Sequence, residues 1–99
     1  MIRLSLAIAA ASLSLLSTTA SAAGYYNAKP ATAPAKASLI TGDVMWKCTD
    51  GLCVAPKTTS RDAIVCEQVA KRVGTLASFA ANGAAFDEAA LAKCNTRAK

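Results

Sequence analysis

Four cysteines, Cys48, Cys53, Cys66 and Cys94, are the residues of this sequence with the best-defined chemistry. Thiols can pair as disulfides, bind zinc or act as a redox couple. The chain has 99 residues, of which only two are Phe, two Tyr and one Trp. Only about 60 of these residues look foldable, and a domain of that size buries little surface unless covalent or metal staples support it. The cysteines are therefore expected to hold it together.

The spacing of the cysteines favours disulfides over the two alternatives. A redox pair is typically Cys-x-x-Cys at a helix start, whereas Cys48 and Cys53 are separated by four residues. The gaps between successive cysteines match no common zinc pattern, and the chain has no histidine. We therefore expect structural disulfides, no metal ligands and no cofactor. A thiol-redox or metal-binding role stays open as an alternative.

Asp50-Gly51 predicts a tight hairpin that places two of the cysteines opposite each other. The pair lies between two β-prone runs, Val44–Thr49 and Leu52–Ala55. Asp-Gly suits a type I′ turn, because that turn needs positive φ at both central residues. With the turn there, Cys48 faces Cys53 in a non-hydrogen-bonded pair, where the strands approach most closely. The register therefore predicts a Cys48–Cys53 disulfide.

A third β-prone run, Ser38–Thr41, precedes the hairpin and is joined to it by Gly42-Asp43, which suits a tight turn. The hairpin register places Trp46 beside the disulfide and opposite the small Ala55. Pro56 cannot extend the ladder and ends the last strand. These runs predict a two- or three-stranded antiparallel hairpin or meander.

Two helices are predicted in the second half of the chain. Ser60 suits an N-cap, and apolar residues then recur at helical spacing over residues 64–80. Asn82-Gly83 is a typical stop signal for that helix. Asp87 suits the N-cap of a second helix over residues 88–96.

An antiparallel αα-hairpin of these helices would bring Cys94 back towards Cys66. The lengths do not match, because Cys66 lies about 20 Å from the end of its helix and Cys94 only about 10 Å from the start of its own. Either residues 80–86 run back along the first helix, or Gly74 ends that helix early. We predict a Cys66–Cys94 disulfide, although four cysteines allow other pairings. The expected fold is small α+β, a β-hairpin or meander followed by an αα-hairpin, stapled by disulfides.

The first residues have the three parts of a secretory signal. Met1-Ile2-Arg3 is a positively charged start, and residues 4–16 are an apolar run. That run is shorter than the span of about 20 residues that crosses a membrane. Ala20-Ser21-Ala22 is an A-x-A cleavage site, so we expect cleavage between Ala22 and Ala23. The mature chain is then expected to have no membrane span and to lie in the periplasm or outside the cell.

Residues 23–37 are interpreted as a flexible Ala/Pro/Lys tether between the signal, residues 1–22, and a disulfide-stapled domain, residues 38–99. No period of 2 or 3.6 is evident in the tether, and Pro30 and Pro34 favour extended backbone.

The charge pattern does not indicate nucleic-acid binding. The formal net charge is +5, and removing the signal with its single Arg3 leaves about +4, dispersed along the chain. Asp62 and Asp87 lie at helix starts and Lys93 near a helix end, as the helix dipole favours. We also expect no enzyme, because the sequence has no histidine, no carboxylate pair in a recognisable context and no Gly-rich phosphate loop.

The mature half resembles a family of short, uncharacterised exported four-cysteine proteins of Gram-negative bacteria. The similarity covers nearly the whole mature chain. The matching features are Tyr25-Tyr26, the Ala/Lys/Pro segment, Trp46-Lys47-Cys48, Asp50-Gly51, Cys53, Cys66-Glu67, Gly74, Leu76, Ser78-Phe79, and Leu91-x-x-Cys94. The resemblance implies an exported four-cysteine domain and supplies no activity.

The function expected from the sequence is that of an exported, non-catalytic envelope protein with a binding or structural role. Its partner is expected to be an envelope component or another protein, and the protein itself a monomer. One alternative is a secreted inhibitor that presents the hairpin loop, residues 49–52. The thiol-redox or metal-binding role is the other.

Overall fold

The computed structural model describes residues 24–99. The predicted signal and its cleavage site at Ala22 and Ala23 lie outside the described residues. The elements, in chain order, are β1 (Tyr26–Pro30), β2 (Ser38–Thr41), β3 (Val44–Thr49), β4 (Leu52–Ala55), α1 (Asp62–Val73), β5 (Leu76–Ala81), β6 (Ala84–Ala85) and α2 (Glu88–Asn95). The predicted class, a small α+β fold stapled by disulfides, is confirmed.

The six strands form one antiparallel sheet in the order β2-β3-β4-β1-β5-β6. The first described strand, β1, therefore lies in the interior of the sheet, between β4 and β5. Tyr26 faces Ala55 on one side and Ala81 on the other. Ala28 faces Cys53 and Phe79 in the same way. The sheet thus depends on pairings between residues far apart in the chain.

The tether interpretation is wrong for residues 26–30, which form β1. Alternate residues of this strand, from Tyr26 to Pro30, are buried, and Lys29 is exposed. The strand therefore does have the period of 2 that is typical of a half-buried strand. Two of its three buried residues are Ala28 and Pro30, which present less apolar surface than Tyr26, so the alternation of apolar and polar residues is weak in the sequence. Residues 31–37, which connect β1 to β2, contain no helix or strand.

The hairpin between β3 and β4 forms as predicted. Asp50 and Gly51 have φ of 53° and 79°, the positive values that a type I′ turn needs. Cys48 faces Cys53, with a Cα–Cα distance of 3.9 Å, and the two sulfurs are bonded. The predicted strand β2 and the two-residue turn that joins it to β3 are confirmed as well.

The first predicted helix is too long. α1 ends at Val73, and Gly74, with a φ of 95°, donates its N–H to the carbonyl of Ala70. The following residues turn into β5, and Asn82-Gly83, at φ of 53° and 81°, forms the hairpin turn to β6. The N-cap is Arg61 rather than Ser60, and it makes no side-chain capping bond. Asn-Gly suits both a helix end and a type I′ turn, so the local signal does not separate the two.

The second helix agrees with the prediction at its start. The carboxylate of Asp87 accepts a hydrogen bond from the backbone N–H of Ala90 at 2.8 Å, as an N-cap should. At the other end, the Asn95 side chain accepts from the N–H of Leu76 at 2.9 Å and donates to its carbonyl at 3.0 Å. These two bonds tie α2 to the start of β5.

The predicted αα-hairpin is wrong as a connection, because β5 and β6 lie between the helices, but α1 and α2 do pack together. Cys66 and Cys94 form the predicted disulfide, with a Cα–Cα distance of 5.8 Å. The early end of α1 at Gly74 removes the length mismatch. Cys66 is now about 10 Å from the end of its helix, and Cys94 about 9 Å from the start of its own.

The core lies between the helices and one face of the sheet. Trp46, Tyr26 and Phe79 are its largest buried side chains. Tyr26 stacks on Phe79 with ring centroids 6.0 Å apart, and Phe86 meets Phe79 edge-on at 4.8 Å. The indole N–H of Trp46 donates to the hydroxyl of the buried Thr41 at 2.8 Å, so this polar pair is satisfied inside the core.

Candidate functional site

In the part of the chain that the structure describes, helices cover one face of the sheet and not the other. α1 packs on β1, β2 and β5, and α2 packs on β5, in keeping with the alternation of buried and exposed residues along the strands. We call the other side the open face. Its residues on β1 to β4 are Asn27, Lys29, Ser38, Ile40, Met45, Lys47, Thr49, Leu52 and Val54.

Two large apolar side chains stand side by side on the open face. Ile40 and Met45 are paired across β2 and β3, with 53% and 52% of their surfaces exposed. No other large hydrophobic side chain among residues 24–99 is as exposed as these two. A single exposed apolar residue needs no explanation, but an adjacent pair begins a patch that a partner could cover.

A shallow groove of about 380 Å³ lies beside Met45 on the open face. Tyr25, Lys47, Val54 and Pro56 contribute to its lining, which is mostly apolar. At the rim, the ammonium of a nearby lysine, Lys57, lies 5.5 Å from the centre of the Tyr25 ring, a cation–π distance.

A second groove, of about 320 Å³, runs along the edge strand β2 on the other side of the same two apolar residues. Ile40 and Met45 contribute to it, together with Lys36 and Arg72. Met45 therefore lies between the two grooves. The guanidinium of Arg72 donates to the backbone carbonyl of Ile40, which shows that this carbonyl points away from β3.

The charged residues that line the two grooves beside Ile40 and Met45 are of one sign. Among the described residues, those that line the two grooves include Lys36, Lys47 and Arg72 and no carboxylate. None of these three cations forms an ion pair with a residue in the described part of the chain. The nearby Asp43 lies in the turn between β2 and β3, where its carboxylate accepts from the hydroxyl of Thr58 at 3.4 Å. The patch is therefore apolar at its centre and cationic around it.

Comparison with protein-family models finds a match over residues 7–96, to a family of unknown function (DUF8200). The chain belongs to the DUF8200 family. The expected membership of a family without an assigned activity agrees with this match. Searches of the curated proteins and of the solved structures found no match.

The four cysteines of this DUF8200 protein are held in two disulfides, so none is a free thiol. All four cysteines are buried. Within residues 24–99, no cluster of three or more His, Cys, Asp or Glu residues could hold a metal ion. All four cysteines that the sequence singled out are therefore disulfide partners in this structure.

The hairpin loop that the inhibitor alternative requires is very short. Asp50 and Gly51 are its two turn residues, and the flanking Thr49 and Leu52 are paired with each other in the sheet. Leu52 is half-buried and Thr49 exposed. The contact surface is therefore limited to the two turn residues and the exposed Thr49.

Sequence reasoning did not identify the open face, although one signal was present. β2 and β3 contain adjacent apolar residues, Leu39-Ile40 and Val44-Met45-Trp46. In a strand, neighbouring side chains point to opposite faces, so one member of each adjacent pair must face away from the core.

Among the helices of residues 24–99, none is long and apolar enough to cross a membrane.

Proposed function

We propose that this protein is a non-catalytic binding protein of the Gram-negative cell envelope, exported to the periplasm or beyond, and that it contacts its partner through the open face. The observation that carries the proposal is the exposed pair Ile40 and Met45, of which Met45 lies between two grooves whose linings contain cations. Such a patch costs solvation energy in a free monomer, and covering it with a partner recovers that cost.

Export is supported by the three-part leader and by the disulfides. Disulfides persist in oxidising compartments and are rare in the cytosol. All four cysteines of this chain are paired. The family resemblance also points to Gram-negative exported proteins.

A binding role is favoured over catalysis by the available side chains. The sequence has no histidine, no carboxylate pair in a recognisable context and no Gly-rich phosphate loop. All four cysteines are paired, which disfavours a metal site, and all four are buried, which limits the access of a redox partner to either disulfide. We further propose that the protein is a monomer, because the like charges of two such faces would repel each other.

Export is tested by the intact mass of the protein recovered from the periplasm of a Gram-negative host, measured with and without thiol alkylation. The expected mass is that of residues 23–99 less four hydrogens, with no alkylation. An uncut leader or free thiols would contradict the export part of the proposal.

Binding through the open face is tested by placing a photo-reactive amino acid at position 45 and, as the matched control, at position 93. Met45 lies on the open face, and Lys93 is exposed on α2, on the helical side of the sheet. Irradiation of whole cells should give a discrete covalent adduct from position 45 and none from position 93. Equal adducts at both positions, or none at either, would overturn the assignment of the open face as the binding surface.

A further inference from the structure

Among residues 24–99, no strand pairs with the outer side of β2. The two edge strands are β2, with four residues, and β6, with two. Thr41 pairs with Val44 across a two-residue turn, so Ile40 and Met45 form a non-hydrogen-bonded pair. The hydrogen bond from the Cys48 N–H to the Ala37 carbonyl fits the same alternation of hydrogen-bonded and non-hydrogen-bonded pairs along β2 and β3. The N–H and C=O of Ile40 therefore both point outwards, away from β3.

The Ile40 carbonyl already shows that it can accept a bond from outside the sheet. Arg72 of α1 donates to it from the helical side of the edge. This contact is exposed and single, so an incoming backbone N–H can replace it at little cost. Once displaced, the guanidinium of Arg72 is available for a side chain of the incoming strand.

The charges at this edge indicate which chemistry the incoming strand should have. Lys36 and Arg72 both line the groove along β2, and both also line a further cleft of about 390 Å³ formed by the connection before β2. No described residue that lines either cavity is acidic. Acidic side chains are thus complementary to the edge. A second copy is not, since two β2 edges side by side would bring the Lys36 and Arg72 residues of both copies together.

The β2 edge is cationic on the helical side and apolar on the open face. An added strand should therefore alternate two kinds of side chain. Arg72 approaches from the helical side, whereas Ile40 and Met45 are exposed on the open face. Successive residues of a strand point to opposite faces, so a strand added to β2 would present every second side chain to each environment. Acidic residues would meet Arg72, and apolar residues would cover Ile40 and Met45.

We propose that β2 accepts an extended peptide segment of a partner protein as a seventh strand, and that this segment alternates acidic with apolar residues. This inference rests on the proposed function, because it specifies the partner of the same surface. The main-chain hydrogen bonds at Ile40 supply affinity, and the alternating side chains supply selectivity, as in other cases of strand addition.

The experiment selects peptides from a displayed library of random sequences, using the exported protein with both disulfides formed. Enriched sequences should alternate Asp or Glu with apolar residues, and their synthetic versions should shift the NMR signals of residues 38–41. Affinity is then measured by fluorescence anisotropy on the protein and three variants.

The first variant, Ile40→Pro, removes the outward N–H without removing a bond to β3, because Pro is tolerated on an edge strand. The second, Lys36→Glu with Arg72→Glu, reverses the two edge charges. The matched control, Lys93→Glu with Lys99→Glu, makes the same change in net charge at exposed positions on and beyond α2. We expect each edge variant to lose at least about tenfold in affinity, and the control to lose less than about threefold.

The outcomes separate the inference from the proposed function. Peptides that bind Ile40→Pro and the charge-reversed variant as well as the native protein would overturn strand addition. Enrichment of no peptide, together with sedimentation on phosphatidylglycerol vesicles that requires Ile40 and Met45, would also overturn it and would make the partner a lipid surface. In both cases the crosslink at position 45 can still support binding through the open face. If Ile40→Pro fails to fold, the charge-reversed pair and its control decide the result alone.

Discussion

The two disulfides should differ in what they contribute to stability, because they close loops of very different length. Cys66 and Cys94 are 28 residues apart, whereas Cys48 and Cys53 are five apart. In the chain-entropy model, these separations correspond to about 3.6 and about 2.1 kcal/mol. Replacing each pair by alanines removes the same atoms from the protein, so the difference of about 1.5 kcal/mol isolates the effect of loop length.

The assay is equilibrium urea unfolding of the two double variants beside the native protein, followed by far-ultraviolet circular dichroism. The variant without Cys66–Cys94 should have the lower free energy of unfolding, and its Tm should lie roughly 6–12 °C below that of the variant without Cys48–Cys53. Thermal unfolding supplies the second measurement. If losing the hairpin disulfide costs as much as losing the long-range one, the loop-length argument is refuted.

Four further substitutions, at Thr41, Trp46, Gly83 and Asn95, test two sets of hydrogen bonds and one turn conformation by urea unfolding. Thr41→Val should lower the free energy of unfolding by about 1–3 kcal/mol because it leaves the indole N–H of Trp46 buried and unpaired. The double variant with Trp46→Phe should lose less than the sum of the losses of the two single variants, and strict additivity would count against the hydrogen bond. Gly83→Ala should cost about 1 kcal/mol through its φ of 81° alone, since the added Cβ would meet nothing within 4 Å; an unchanged midpoint would exclude that conformation. Asn95→Ala should cost about 1–3 kcal/mol and speed amide exchange at Leu76, whose N–H and C=O it leaves unpaired; unaltered exchange at that amide would contradict the bridge.

The parts of the fold that the sequence predicted are those set by local geometry. Asp50-Gly51 determines the turn, the turn determines the register, and the register brings Cys48 and Cys53 together. The start of α2 is likewise determined within one helical turn by the carboxylate of Asp87. Each of these signals acts over a few residues and has no strong competitor.

The parts that the sequence did not predict depend on long-range pairing. β1 is a strand because β4 and β5 provide hydrogen-bond partners on both sides, and nothing within residues 26–30 announces those partners. β5 was assigned to a helix because Leu76 and Phe79 are three residues apart, which suits a helical face. In the structure both are buried, with two exposed residues between them, at an irregular point of the β1–β5 pairing. The buried residues of β5 are thus three positions apart at this irregular point, and this spacing in the sequence predicts a helix.

The open face was missed for a different reason. Ile40 and Met45 are ordinary strand residues by composition, and only the positions of α1 and α2 show that neither of these helices covers them. Which face a helix packs on is a property of the whole fold rather than of one strand.

The interior position of β1 has a consequence for the order in which the molecule can assemble. Tyr26 in β1 pairs with Ala81 in β5, so the sheet is complete only when both strands are present. A chain that emerges amino-terminus first, from a ribosome or a translocation pore, therefore cannot complete its sheet until most of the chain has emerged. The β2–β4 meander can form earlier, because its contacts are local. Closing Cys48–Cys53 at that stage withdraws two thiols before Cys94 arrives. When the last helix emerges, Cys66 then has a single thiol left to join, and sequential emergence itself selects the native one of the three possible pairings.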